Sequence, residues 1–234
     1  MRIVSWNCHY GLSEMKAEKI QEVFTDIDIF VIQECKRTDM DAFKSVWKFK
    51  NWYGDDQDIK SDLGIAIFSR NHKVEFSNIF NRNFRYVVPY TIITNEKPLT
   101  LFAVWTKSTP IYYYDKNVTK AICADEYQAL LKGNVIIIGD FNTGYTEDHQ
   151  DRYENLREGL KGFKNCELGK PEEYKKTFFS YSKNKLYLND FCFVSENISV
   201  KKFETNDIWT DNDYGQKSWR GLSDHCPIIV DLAL

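Results

Sequence analysis

The chain is poor in the residues that interrupt or staple a fold. Its 5 prolines and 11 glycines are spread over 234 residues, so there is no linker-like stretch, and no repeat of fixed period divides it. Blocks of one charge sign are also missing: 31 Lys and Arg face 34 Asp and Glu, a net charge of −3. That balance argues against indiscriminate coating of nucleic acid and leaves room for a local basic groove. No apolar run approaches the ~20 residues of a membrane span. The six cysteines, Cys8, Cys35, Cys123, Cys166, Cys192 and Cys226, form no C-x-x-C pair, which disfavours a zinc cluster or disulfide framework and favours reduced, buried thiols. The opening MRIVSWN runs straight into an alternating strand, so the expectation is a cytoplasmic protein with no membrane and no obligate protein partner.

What is present is strand. Apolar runs rich in Ile, Val, Phe or Tyr lie at residues 2–6, 29–33, 64–68, 86–93, 99–104, 135–138, 190–194 and 227–232. Between the first two, Ile20, Val23, Phe24 and Ile27 repeat with helical spacing, predicting a helix over 14–26. Cys123, Ala124, Tyr127, Leu130 and Leu131 predict a second over 117–131, stopped by Gly133, and a weaker pattern suggests a third near 151–160. Strands that outnumber helices, some fully apolar and others alternating, imply one α+β domain over residues 1–234, two sheets face to face with helices outside.

Several of these runs meet a polar residue abruptly: IVSWN at Asn7, IFVIQE at Glu34, VIIIGDFN at Asp140 and Asn142, LYLND at Asp190, and SDH just before the last strand at Asp224 and His225. One Asp at a strand end is ordinarily a turn or cap residue. Five such ends converging on one rim would form a site for a hard divalent cation such as Mg²⁺, which takes oxygen ligands and keeps several waters. Glu34 is the first choice of ligand, with Asn7 and Asp224 completing or orienting the shell. Side-chain alternation should turn Cys8, Cys35 and Cys226 away from the cleft and place Cys192 beneath Asp190 as packing.

The ordered set WN, QE, GDFN and SDH, with GIAIFSR at 64–70 and NDFCFVS at 189–195, resembles the endonuclease/exonuclease/phosphatase superfamily, the DNase-I-like fold, from Trp6 to Pro227. The resemblance implies a four-layer α/β/β/α sandwich and a metal-dependent phosphoester hydrolase using Mg²⁺, with Mn²⁺ as substitute. It implies Glu34 as principal metal ligand with Asn7 and Asp224 close to it. Asp140 would orient or deprotonate the attacking water, Asn142 would hold a phosphate oxygen, and Asp190 would pair with His225, with either the Asp or the His–Asp pair activating water. A phosphodiester repels an anionic nucleophile, so cation and imidazolium would neutralise the phosphoryl oxygens.

Three positions depart from the family pattern. Trp105 stands where many members carry a catalytic His or Tyr, and offers only an N–H donor. His9 stands where similar sequences often read Asn, and Asn189 replaces the usual apolar residue before Asp190. For substrate binding the candidates are Arg82, Arg85, His9, Trp105 and Trp219, within a wider set of Arg70, Tyr112, Tyr113, Tyr114, Lys183 and Arg220. Arg and aromatic residues together can follow a sugar-phosphate backbone and stack on bases. The leading expectation is a nuclease with nucleic acid as substrate. The alternatives are hydrolysis of a small or lipid-linked phosphate, and a binding module without catalysis.

Overall fold

The most apolar runs of the chain become the middle strands of two sheets. The computed structural model describes residues 1–41, 47–54, 62–84, 86–95, 97–107, 114–144, 150–206 and 221–234. Its strands in chain order are β1 (Arg2–Asn7), β2 (Ile29–Lys36), β3 (Phe49–Gly54), β4 (Leu63–Ser69), β5 (Lys73–Phe76), β6 (Val87–Ile93), β7 (Leu99–Trp105), β8 (Asn134–Asp140), β9 (Phe163–Asn165), β10 (Phe178–Ser180), β11 (Lys185–Tyr187), β12 (Asp190–Ser195), β13 (Ser199–Thr205) and β14 (Ile228–Ala233). The helices are α1 (Glu14–Val23), α2 (Tyr114–Ile122) and α3 (Gln150–Gly159). One sheet has the order β13-β14-β1-β2-β4-β3, the other β5-β6-β7-β8-β12-β9, and β10 with β11 forms a separate hairpin.

Each sheet is centred on one parallel pair, β1 with β2 and β7 with β8. A parallel pair needs a crossover, and the intervening α1 and α2 supply it. Alternation along the strands then sorts side chains into three cores. Ile3, Val31, Ile65 and Ile67 meet Leu101, Ala103, Ile136 and Ile138 between the sheets. Val4, Trp6, Phe30 and Ile32 pack outward against Ala17, Ile20 and Phe24 of the α1 region. Phe102, Ile137, Phe191 and Phe193 do the same against Val118 and Ala121 of α2 and Leu156 of α3. The architecture is an α+β sandwich of four layers, as expected.

Helix α1 starts where Ser13 caps it, its Oγ accepting from the Lys16 N–H at 3.4 Å, and stops where Phe24 turns to φ −121°, ψ 83°, earlier than the apolar spacing suggests. The second helix is also shorter than expected. It ends at Ile122, Ala124 takes an extended conformation, and a short 3-10 turn Asp125–Tyr127 follows. Cys123 is consequently exposed and off the apolar stripe, whereas the other five cysteines are buried. Among the described residues no helix is long and apolar enough to cross a membrane.

Candidate active site

The parallel pairs deliver their carboxyl ends to one rim, where the sheets are bridged directly: Asn7 Nδ2, ending β1, donates to Asp140 Oδ2, ending β8, at 2.9 Å and to Glu34 Oε1 of β2 at 3.1 Å. Glu34 reaches this position through an irregularity. The β2–β4 register slips between Gln33 and Cys35, leaving Glu34 bulged at φ 58°. Plain alternation from Val31 and Gln33 would have turned Cys35 inward. With the bulge, Cys35 joins Cys8 and Cys226 in the core under α1, while Cys192 packs between the sheets beneath Asp190. The thiols therefore lie where expected, and burial holds those of Cys8, Cys35 and Cys192 far above the usual thiol range.

Asp140 is held at the end of β8 by its neighbours. Gly139 precedes it at φ +148°, and a Cβ there would stand 2.0 Å from the Val104 carbonyl oxygen, so glycine alone lets β7 and β8 close up here. Asp140 Oδ2 accepts from Asn7 Nδ2 and from Asn142 Nδ2 at 2.9 Å, and Oδ1 accepts from the Asn142 backbone N–H at 2.8 Å. Asn142 Nδ2 also donates to the Thr106 carbonyl at 3.0 Å, so this amide is spent on positioning Asp140 and the loop beside it.

Asp190 opens β12 directly opposite Asp140 in the ladder. The Thr177 hydroxyl oxygen accepts from the backbone N–H groups of Asn189 and Asp190 at 3.0 and 3.1 Å, fixing the strand start. Asp190 Oδ2 lies 2.8 Å from His225 Nδ1. The same ring presents Nε2 to Asp140 Oδ2 across 3.9 Å, too far for a hydrogen bond between them. His225 is itself pinned: its N–H donates to Ser223 Oγ, its carbonyl accepts from Trp6 Nε1, both at 3.0 Å, and Phe178 covers the ring at 4.8 Å between centroids.

Burial opposes charge on the imidazole, yet Asp190 and Asp140 outweigh it and lift the His225 pKa to about 10. Burial likewise pushes Asp140 up, to about 7, with His225 pulling down and Asp190 pushing up. Near neutral pH the ring is an imidazolium and Asp140 is close to its point of proton exchange. The ligand atoms of Asp140, Asp190 and His225 lie within 4.8 Å of one another, a spacing a cation could bridge, although Asp190 Oδ2 and His225 Nδ1 already engage each other at 2.8 Å.

Glu34, Asn7 and Asp224 fit a hard cation better. All are oxygen donors, each Glu34 carboxylate oxygen accepts one hydrogen bond and keeps a second lone pair, and Asp224 Oδ1 is buried without a hydrogen-bond donor. The strap between β1 and α1 links them. The His9 N–H donates to Asn7 Oδ1 at 3.0 Å, and the Tyr10 N–H donates to Glu34 Oε2 at 3.1 Å. His9 Nδ1 lies 3.1 Å from Asp224 Oδ1, an ion-pair distance outside hydrogen-bond geometry. Burial pushes the Asp224 carboxyl up, but the His9 and His225 imidazoles outweigh it and hold it below the usual range.

The substrate candidates separate. Arg82 is exposed, in a 3-10 turn (Arg82–Phe84) leading to the rim end of β6. Arg85, Trp219, Tyr112, Tyr113 and Arg220 lie outside the described residues. Trp105 ends β7 opposite Asp140, but its indole is 4% exposed within the inter-sheet core, with the Lys107 ammonium 4.0 Å over its face. Arg70 is at the wrong end: antiparallel pairing puts the end of β4 beside Ile29, remote from Glu34, and the guanidinium binds the Thr25 carbonyl and stacks on Trp47 at 5.0 Å. Tyr114 and Lys183 instead line a cleft of about 310 Å³ beside Asn142, together with Arg152, Phe178, Tyr187 and Asn189. Arg152, Thr177 and Lys16, whose ammonium donates to carbonyls of the strap, carry no motif of their own in the sequence. Ser223 does, as the first residue of SDH.

The model of the Endonuclease/Exonuclease/phosphatase family matches residues 4–225. No curated protein matches the sequence. Among solved structures, D. rerio TDP2 complexed with a single-strand DNA product superposes at TM-score 0.72 and 16% identity, covering 100% of this chain and 99% of that one. The 3'-5' exonuclease NExo from Neisseria meningitidis gives 0.67 and 18%, with complete coverage of both chains. The endonuclease domain of TRAS1, a telomere-specific non-LTR retrotransposon, gives 0.68 and 18%, covering 100% and 98%. At these identities the likeness is one of fold.

Proposed function

We propose, from the premise that this chain belongs to the endonuclease/exonuclease/phosphatase family, that it is a divalent-metal-dependent phosphodiesterase cleaving nucleic acid. The observation that carries the reading is the 3.9 Å gap between His225 Nε2 and Asp140 Oδ2, a buried imidazolium facing a carboxylate poised near neutrality. A phosphoryl oxygen at the mouth of that gap would accept from Nε2, and a water beside it would give its proton to Asp140. Asp190 keeps the ring charged and oriented, and Asn7 and Asn142 hold the Asp140 carboxylate in place. Glu34, with Asn7 and Asp224, would hold Mg²⁺ or Mn²⁺. Bound there, such a cation would supply Lewis-acid charge near the phosphoryl oxygens.

The neighbouring cleft supports a nucleotide over a lipid-linked phosphate. Phe178 and Tyr187, 6.1 Å apart, offer faces for a base, and Lys183 and Arg152 offer cations for the next phosphate, where a lipid headgroup site would need an apolar rim. Arg82 and His9 would meet the backbone on the other side. The reported complexes of D. rerio TDP2 with single-strand DNA product and of the Neisseria 3' phosphatase NExo with a product DNA hairpin support nucleic acid as the substrate class. The test is a panel of plasmid DNA, single-stranded DNA, RNA, an abasic duplex and an aryl phosphodiester with Mg²⁺ or Mn²⁺, run beside Asp140→Asn. Cleavage of a nucleic acid by the wild type alone is expected. No cleavage of any substrate by folded, metal-bound wild type would overturn the proposal.

A further inference from the structure

The strap from His9 to Gly11 touches each residue taken above as a cation ligand: Asn7 through the His9 N–H, Glu34 through the Tyr10 N–H, and Asp224 through the His9 ring. It does so in a costly shape. His9 and Tyr10 are consecutive residues with φ 52° and 58°, a left-handed conformation that costs non-glycine residues roughly 1 kcal/mol or more each. Such a turn persists only when its surroundings over-determine it. Here one side chain does so. From the first turn of α1, Lys16 Nζ donates to the carbonyls of Cys8 at 2.5 Å, His9 at 2.7 Å and Gly11 at 2.8 Å, using all three ammonium donors on one loop.

We propose that Lys16 is a positioning residue for the divalent cation: by clamping three strap carbonyls it holds Asn7, Glu34 and Asp224 in the arrangement that receives the ion. The inference rests on the reading of those three residues as its ligands. An ammonium suits the task because its donors diverge from one point toward three converging carbonyls, whereas a planar guanidinium spreads its donors along a fork and cannot satisfy all three. The strap in turn occupies one lone pair on Asn7 Oδ1 and one on Glu34 Oε2, fixing the direction of those left for the cation. Removing the clamp should therefore loosen the ligands without removing any of them.

The test measures Mn²⁺ binding by calorimetry, without substrate, on wild type, Lys16→Met, Lys16→Arg and Ser13→Ala, with kcat read separately at saturating Mn²⁺. Ser13→Ala removes the α1 cap and destabilises the same helix without touching the strap. Lys16→Met should bind Mn²⁺ about tenfold more weakly, the low end of the ~10–100-fold that supporting partners of metal ligands contribute. Lys16→Arg should fall between it and the wild type, and Ser13→Ala should match the wild type. Saturating Mn²⁺ should restore kcat of the lysine variants to within about threefold, which a loss of folded protein would not allow. If Lys16→Met does not fold, Lys16→Arg decides. Wild-type affinity in a folded lysine variant, or equal weakening in Ser13→Ala, overturns the role of Lys16 alone. A wild type that binds no divalent cation overturns the ligand assignment beneath it.

Discussion

Replacing Asp190 by Asn tests the His225 assignment with little change of shape. An amide oxygen can still accept from Nδ1 at the 2.8 Å position; the charge is lost from a pair whose side chains are 4% and 1% exposed, and the new NH2 takes the place of Oδ1, which is buried without a hydrogen-bond partner. With that charge gone, burial, the strongest influence on the ring, is opposed chiefly by Asp140, and the pKa should fall from about 10 toward its ordinary 6.5. A ring of that pKa is about 1% protonated at pH 8.5. Loss of the imidazolium should then lower kcat ~100-fold, the range for removing one preorganised donor to a transition-state oxyanion. The alkaline limb of the rate profile should move down by several pH units.

Stability follows with a defined sign. A ring whose pKa is raised by folding contributes stability fully present below its ordinary 6.5 and lost as pH climbs through about 10. The wild-type Tm should therefore decline across that window, and Asp190→Asn should flatten the decline. The assay is kcat from pH 5.5 to 10.5 at saturating Mg²⁺ on the best substrate of the panel, with Tm over the same range. A folded Asp190→Asn enzyme with wild-type kcat at pH 8.5 and an unmoved alkaline limb would refute the reasoning.

Three further outcomes are expected. Millimolar Mg²⁺ or Mn²⁺ should raise the wild-type Tm, by the equivalent of ~2.7 kcal/mol at one hundred times the dissociation constant, and leave Glu34→Ala unmoved; equal shifts in both would place the ion elsewhere. Lys183→Glu, at the cleft beside Asn142, should raise KM for an oligonucleotide about tenfold through the loss of a phosphate-binding cation while kcat stays within a factor of two, and should spare an aryl phosphodiester too short to reach it. Gly144→Ala should lower stability by roughly 2–4 kcal/mol, because the new Cβ would stand 1.4 Å from the Leu188 carbonyl oxygen. Chemical denaturation that finds Gly144→Ala as stable as the wild type would show that this backbone approach is looser than described.

The eight strands legible in the sequence are the eight inner ones, β14, β1, β2 and β4 of one sheet and β6, β7, β8 and β12 of the other. Inner strands are covered on both faces, so they read as apolar runs such as IVSW and VIII. The missed strands are the four sheet edges, β13, β3, β5 and β9, and the detached hairpin β10–β11. An edge strand has only one ladder to satisfy and often one wet face; SVKKFET alternates weakly, carries two lysines and contains a register shift. The second helix was overextended for a related reason. Leu130 and Leu131 do contact the outer core, but from a turn after the helix has ended, and spacing alone does not distinguish a helix face from a loop folded back onto the same core.

The site divides along the same line between chemistry and backbone. Asn7, Asp140, Asp190 and His225 could be named because each is a polar residue at or just before the end of an apolar run; regular strands carry Asn7, Asp140 and Asp190 to the rim, and His225 precedes the last strand in an isolated bridge to Phe178. Glu34 needed more. Its place depends on a bulge that the run IFVIQECK does not announce, and His9, Tyr10 and Asn142 beside it share its left-handed backbone. Apart from Asn184, in the β10–β11 hairpin, these are all the non-glycine residues of positive φ among those described, and all four flank Asn7 or Asp140. The strain at this rim is held in part by interactions outside the motifs: Lys16 on the strap carbonyls and Thr106 on Asn142. A motif names the polar groups gathered at the rim, whereas the residues that hold them in unfavourable conformations are recognised by reach and donor count. Lys16 reads in the sequence as one more helix lysine, and only the carbonyls converging on its ammonium distinguish it.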